Sequence, residues 1–296
     1  MIHYISNILY VIQCLSYHNL SIPENLYIQF QTTDKNKQMK LLLQYRHQIF
    51  TIKDILAYIS KYIIQYELLS WINPEKLNYM YLSNNPNAIS FLENNYDKID
   101  WFELSYNENA IHLLEKNYHK IYWNFFSMNS SGINLLKNYN NRIYWAFFSR
   151  NTSAIPLLEH NIDKINWCFL SGNPSAIPLL EKYPQKINWG FLSKNPNAIH
   201  LLENNQDKID WTMLSKNPNA IHLLEQNKDK IDWEYLSSNP NAIHLLEKNL
   251  DKINWKNLSS NPNAIHLLEN NKNKINWNEF SSNPSIFTKK QCFLLN

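Results

Sequence analysis

Nine tryptophans stand 22 residues apart: Trp101, Trp123, Trp145, Trp167, Trp189, Trp211, Trp233, Trp255 and Trp277. Tyr79 occupies the preceding rung, so ten equivalent positions follow one another, and only Trp71 falls outside the series. A fixed period of about 20–50 residues marks a tandem-repeat solenoid, in which each unit buries its apolar face only against its neighbours. An array of this kind offers a surface for holding something before it offers a pocket for chemistry.

Aligned on tryptophan, the unit reads K-I-[DN]-W-x-x-[LF]-S-x-N-P-x-A-I-x-L-L-E-x-N. The asparagine before the proline position occurs in every copy, from Asn85 to Asn283. Asparagine is a preferred helix N-cap, and proline suits the first helical position because its missing N–H would be unpaired there. Asn85, Asn173, Asn195, Asn217, Asn239 and Asn261 are therefore expected caps. The helix that follows should run about nine residues, as from Pro196 to Asn204, with Ala198, Leu201 and Leu202 on one apolar face. A second short helix, α or 3₁₀, should begin at Asp210 and carry Trp211 and Leu214 inward.

The leucine-rich repeat shares this period but requires an alternating strand before its asparagine, and none is present here. Proline directly after asparagine also suits a helix start better than an asparagine ladder along a strand edge. The expected fold is all-α: an α-solenoid of about ten 22-residue repeats, two short helices per repeat, with helical N- and C-terminal caps. Residues 1–72 form the helical N-terminal cap or a small module, 73–284 the repeats and 285–296 the C-terminal cap. Stacked at a helix spacing of roughly 8–10 Å, an open array of this size would extend on the order of 80–90 Å.

Composition excludes several alternatives. Three glycines in 296 residues argue against phosphate-cradling loops and tight-turned β-barrels. The net charge is +3, and residues 79–285 carry 19 basic and 20 acidic groups, too few cations in excess to announce nucleic acid. Cys14, Cys168 and Cys292 are odd in number and far apart, which fits a reducing, cytoplasmic compartment rather than a disulfide frame. Residues 1–23 lack charge, but Asn7, Gln13, Ser16, His18 and Asn19 interrupt them, so a buried helix is expected rather than a membrane anchor.

No nucleophile, base and orienting group stand out together, and neither an enzyme nor a cofactor is expected. His112, His200, His222, His244 and His266 recur at one position, but copies in stacked helices lie too far apart to share a metal ion, so no metal site is expected. Glu203, Glu225, Glu247 and Glu269 alternate with Lys208, Lys230, Lys252 and Lys274, and should solvate the faces and pair across repeats. The tryptophans form the expected structural core ladder. The candidate partner-binding groove lies two residues further on: Phe125, Phe147, Phe169, Phe191, Met213 and Tyr235, fading to Glu103, Asn257 and Glu279 toward the ends. The competing reading is that these side chains simply complete the packing between repeats.

The run from Trp189 to Trp211, W-x-x-L-S-x-N-P-N-A-I-H-L-L-E-x-N-x-D-K-I-D-W, resembles tandem 22-residue repeat proteins of mimivirus-like giant viruses. The resemblance covers about Leu77 to Pro284 and implies a viral protein in a host cytoplasm or a virion; it implies no activity. N-P followed by L-L is more distantly similar to the leucine-rich-repeat variant, a helical solenoid alternating α and 3₁₀ helices. Three expectations follow. The first is a non-enzymatic scaffold for protein–protein interaction with a host or viral partner. The second is a single-stranded RNA-binding repeat protein, which the neutral repeats disfavour. The third is an adaptor whose residues 1–72 recruit a further partner.

Overall fold

The computed structural model describes residues 66–289. Ten repeats follow one another, each built from one-turn helical pieces joined by extended residues. The segment from Asn239 to Ser259 represents them. Asn239 is extended, with φ −78° and ψ 116°, and its Oδ1 accepts the Asn241 N–H. A 3₁₀ turn over Pro240–Ala242 leads into an α-helix over Ile243–Glu247. Asn249 then breaks the helix (φ −138°, ψ 55°), a second 3₁₀ turn spans Leu250–Lys252, and extended Ile253 drops into the core. Asn254 caps the α-helix Trp255–Ser259.

The expected nine-residue helix is thus a 3₁₀ turn continued by a short α-helix, and the x-Asp-Lys step adds a 3₁₀ turn that periodicity alone did not reveal. Segments this short gain little from propensity, because nucleating a helical turn is itself unfavourable. Packing and side-chain caps hold them.

Three columns are fully buried in nearly every repeat: the Leu or Phe three after tryptophan, the Ala three after the asparagine, and the second Leu of the Leu-Leu pair, as in Leu214, Ala220 and Leu224. In one repeat the volumes compensate. Where Phe126 replaces leucine, Gly132 replaces alanine, and a Cβ there would collide with the Phe126 ring.

Two buried polar columns tie the repeats together. Asn217 Nδ2 donates to Ser193 O at 3.0 Å and to Asn195 O at 2.9 Å in the preceding repeat, while its Oδ1 accepts the Asn219 N–H. Ser193 Oγ donates to Trp189 O and accepts the N–H of Asp210 in the following repeat. Asn173, Asn239 and Asn261 are therefore helix caps, as expected, whereas Asn85, Asn195 and Asn217 make the same side-chain bond to the N–H two residues on but open a tight turn, after which an alanine takes the cap position of the α-helix. Together they also form the asparagine ladder that the helix start had been taken to exclude. Buried polar groups that are fully paired each contribute about 1 kcal/mol, whereas an orphaned one costs more.

Those columns do not end. Asn85 Nδ2 donates to Ser281 O at 3.0 Å and to Asn283 O at 2.8 Å, and the Asn78 N–H donates to Ser281 Oγ at 2.9 Å. Asn87 Nδ2 donates to Pro284 O, as Asn219 Nδ2 does to Pro196 O. The first repeat thus stacks on the last with the polarity of every internal interface, and the ten repeats form a closed ring. Strand Tyr66–Leu68 pairs with strand Phe287–Lys289 across the same seam, and the Trp71 ring lies 5.7 Å from that of Phe280. This corrects the expected open array. The physical reason lies in unequal spacing: tryptophan helices of successive repeats lie closer together than Leu-Leu helices do. Each step therefore turns the chain, and ten steps of about 36° complete a circle. The tryptophan helices take the inner circumference and the Leu-Leu helices the outer one.

The expected N-terminal cap or module lies outside the described residues apart from its last few, as does most of 285–296. No helix among the described residues is long and apolar enough to cross a membrane.

Candidate functional site

The inner helices each hold their tryptophan only partly buried, packed on the flank of the core. A lysine from the following repeat covers most of these rings. Lys208 Nζ lies 4.7 Å from the Trp189 ring centre, Lys230 4.5 Å from Trp211, Lys252 4.6 Å from Trp233 and Lys274 4.3 Å from Trp255. Across the seam, Lys76 lies 4.9 Å from Trp277. The lysines expected to pair with glutamates instead serve as lids on the tryptophan column, each worth about 0.5–1 kcal/mol. The glutamates meet the recurrent histidines: His222 Nε2 stands 2.9 Å from Glu203 Oε1 and His266 Nε2 2.8 Å from Glu247 Oε1. Among the described residues, the contacts within 4.0 Å between a basic and an acidic side chain are five, all of this kind.

The residue two after each tryptophan is set by the cap of its helix. Asp210 Oδ1 accepts the Met213 N–H at 3.0 Å, Asn166 Oδ1 that of Phe169, Asn188 Oδ1 that of Phe191, and Asp232 Oδ1 that of Tyr235. Two repeats break the rule. Tyr122 and Tyr144 occupy the cap position, make no capping hydrogen bond, and stand 49% and 53% exposed. The Phe125 N–H is met instead by Asn124 Oδ1. An N-cap is worth about 1 kcal/mol, so two adjacent repeats forgo that stabilisation and present a tyrosine to solvent.

The expected stripe is brought together. The Phe125 and Phe147 ring centres lie 5.2 Å apart, Phe147 and Phe169 5.6 Å, and Phe169 and Phe191 5.7 Å. Met213 and Tyr235 continue the column, and all six residues are half-buried. They therefore pack on one another between repeats yet keep part of their surface in solvent. Phe102 extends the stripe, 4.3 Å from Phe125 and 5.5 Å from Tyr122, and Tyr144 lies 5.2 Å from Phe147. Phe102, Tyr122 and Tyr144 are additions to the predicted set. A shallow open depression lined by Trp101, His119, Lys120, Ile121 and Tyr122 adjoins its end.

A second column runs beside the first, five residues after tryptophan. It contains exposed Arg150, Gly172, half-buried Lys194 and exposed Lys216. Lys194 Nζ lies 4.4 Å from the Phe191 ring centre. Burial holds its ammonium below the ordinary lysine pKa, and the positive charges of Arg150 and Lys216 push the same way. At the other end of the stripe, Glu103 is raised from the usual glutamate value by burial and by the charge of Asp100.

Two sequence signals could have revealed this face. One is tyrosine at a position that is Asp or Asn in the other eight repeats. The other is the complete absence of Asp and Glu from 116 to 158, a stretch that carries Lys116, Lys120, Lys137, Arg142 and Arg150. The net charge of all ten repeats together is near zero and hides this basic stretch. No protein-family model, curated protein or solved structure matches this chain.

Proposed function

We propose that the ring is a non-enzymatic scaffold that holds a protein partner against the face formed by Phe102, Tyr122, Phe125, Tyr144, Phe147, Phe169 and Phe191, with Met213 and Tyr235 at its far end. The observation that carries this reading is the pair of surrendered caps. Local chemistry that contradicts the fold's own rule concentrates where function requires it. Here it coincides with a continuous run of half-exposed aromatic rings, the composition enriched at interface centres. The buried columns hold the ring whatever this face carries.

A single-stranded RNA reader finds less support. Stacking bases needs open aromatic faces, and lysines already cover most of the tryptophans. The double substitution Phe147→Ser/Phe169→Ser tests the scaffold reading. Tagged full-length chain and variant are used to capture proteins from lysate, after both are checked for the same unfolding transition. A set of proteins retained by the parent and lost from the variant supports the reading; identical captures contradict it.

A further inference from the structure

The face has a sign as well as an apolar character. Across the four repeats from Trp123 to Lys194, the positions one before, one after, two after and five after tryptophan hold no acidic residue. They hold Tyr122, Asn124, Phe125 and Met128, then Tyr144, Ala146, Phe147 and Arg150, and the two repeats that follow continue the pattern to Lys194. Beyond them the same positions turn acidic. Asp100 and Glu103 bound one end; Asp210 and then Asp232 and Glu234 bound the other. Within the face, Arg150 and Lys194 flank Gly172, against which the Lys194 stem and the Phe191 ring pack, and Lys216 follows one repeat on. None of the three has a carboxylate within 4.0 Å among the described residues. Like charges gathered beside an apolar strip, with no carboxylate at ion-pair distance, are complementary to an anionic partner and repel a cationic one.

We propose that this face takes an acidic peptide segment with apolar anchors: leucine- or phenylalanine-like side chains against Phe125, Phe147, Phe169 and Phe191, and carboxylates toward Arg150, Lys194 and Lys216. The proposal rests on the scaffold reading and names the chemistry of its partner. A peptide fits better than a nucleic acid for two reasons. The cations beside the strip are three, interrupted at Gly172, too few in excess to neutralise a phosphate backbone along it. The rings also lean on their neighbours, Phe102 on Tyr122 and Phe169 on Phe191 edge to face, and so give up the open faces that bases would stack on.

The test is a fluorescence anisotropy titration of the full chain. The probes are a labelled peptide alternating glutamate with leucine, its glutamine and lysine counterparts, and oligouridylate RNA. The glutamate peptide is expected to bind, and Arg150→Glu/Lys194→Glu should weaken it about tenfold or more, with a strong dependence on salt. Arg150→Glu alone, at an exposed position, gives the same direction should the double variant fail to fold. Lys248→Glu, on an exposed outer position, should leave affinity unchanged. Glutamine and glutamate peptides binding alike would overturn the acidic preference and leave the scaffold reading standing. RNA binding more tightly than the glutamate peptide would overturn it in favour of nucleic acid. Failure of every peptide would overturn it too, and the capture experiment would then decide the scaffold reading separately.

Discussion

From Lys186 to Asn271 each rung repeats the same contacts; from Lys116 to Leu158 the tryptophans persist but their surroundings change. In the first arc Asp210, Asp232 and Asn254 cap their helices, lysines cover Trp189, Trp211, Trp233 and Trp255, and His200, His222, His244 and His266 each meet a glutamate. In the second arc tyrosines replace the caps. The Trp123 ring packs on Tyr139, 5.2 Å away, and Lys137 stands where other copies have glutamate. The buried asparagine and serine columns do not change: Asn129 and Asn151 bond backward as Asn217 does, and Ser127 and Ser149 bond as Ser193 does. The difference separates two kinds of position. The buried asparagines and serines that join one repeat to the next are the same in every copy, and the exposed positions that vary are where a binding surface can be built.

The largest effects should ignore the arcs. Asn217→Ala and Asn129→Ala each remove the side-chain bond that closes the following turn and strand two buried carbonyls, and each should cost about 3–5 kcal/mol in denaturant unfolding. A much smaller loss in the 116–158 arc would mean that its buried ladder has relaxed as well as its surface. Trp211→Ala should cost somewhat less, about 2–3 kcal/mol, because the ring is only half withdrawn from water and already shares its exposed face with Lys230. An unchanged melting curve would place the ring outside the cooperative unit.

Exchanging the cap residue between arcs acts at the next level down. Asn166→Tyr should destabilise by about 1 kcal/mol, and Tyr144→Asp should be about 1 kcal/mol more stable than Tyr144→Ala. Equal stabilities for those two Tyr144 variants would show that no cap was forgone. The smallest effect is electrostatic. Glu103 is raised from the ordinary value of 4.5 in the folded chain, so its contribution is fully present below that pH and is lost as pH rises through the raised pKa. Glu103→Gln should accordingly raise the melting temperature slightly at neutral pH, and the gain should disappear under acid conditions.

Much of the unit was legible because it was written ten times. Asn before the proline position in every copy specifies a turn capped by its side chain, and the Leu-Leu and Ala columns specify a core face. Three features were not. The short 3₁₀ turn at Gln206–Lys208 has no apolar period to betray it. The asparagine's second role depends on carbonyls of the preceding repeat, Ser193 O and Asn195 O for Asn217, which a sequence pattern does not place. Closure depends on the turn angle per step, set by the closer approach of the inner helices than of the outer ones, which no single residue encodes. The candidate face was half visible. The six-residue stripe followed from the period, whereas Tyr122, Tyr144 and the basic flank required knowing which side chains share that surface.

Whether the repeats close on themselves is the point from which the rest follows. Met80 and Asn278 occupy equivalent positions in the first and last repeats and are both exposed. With Cys14, Cys168 and Cys292 changed to serine, spin labels at Met80→Cys and Asn278→Cys report the distance across the seam. A ring predicts a separation on the order of 10–20 Å with strong dipolar broadening, whereas an open array would hold the labels about 80–90 Å apart and show none.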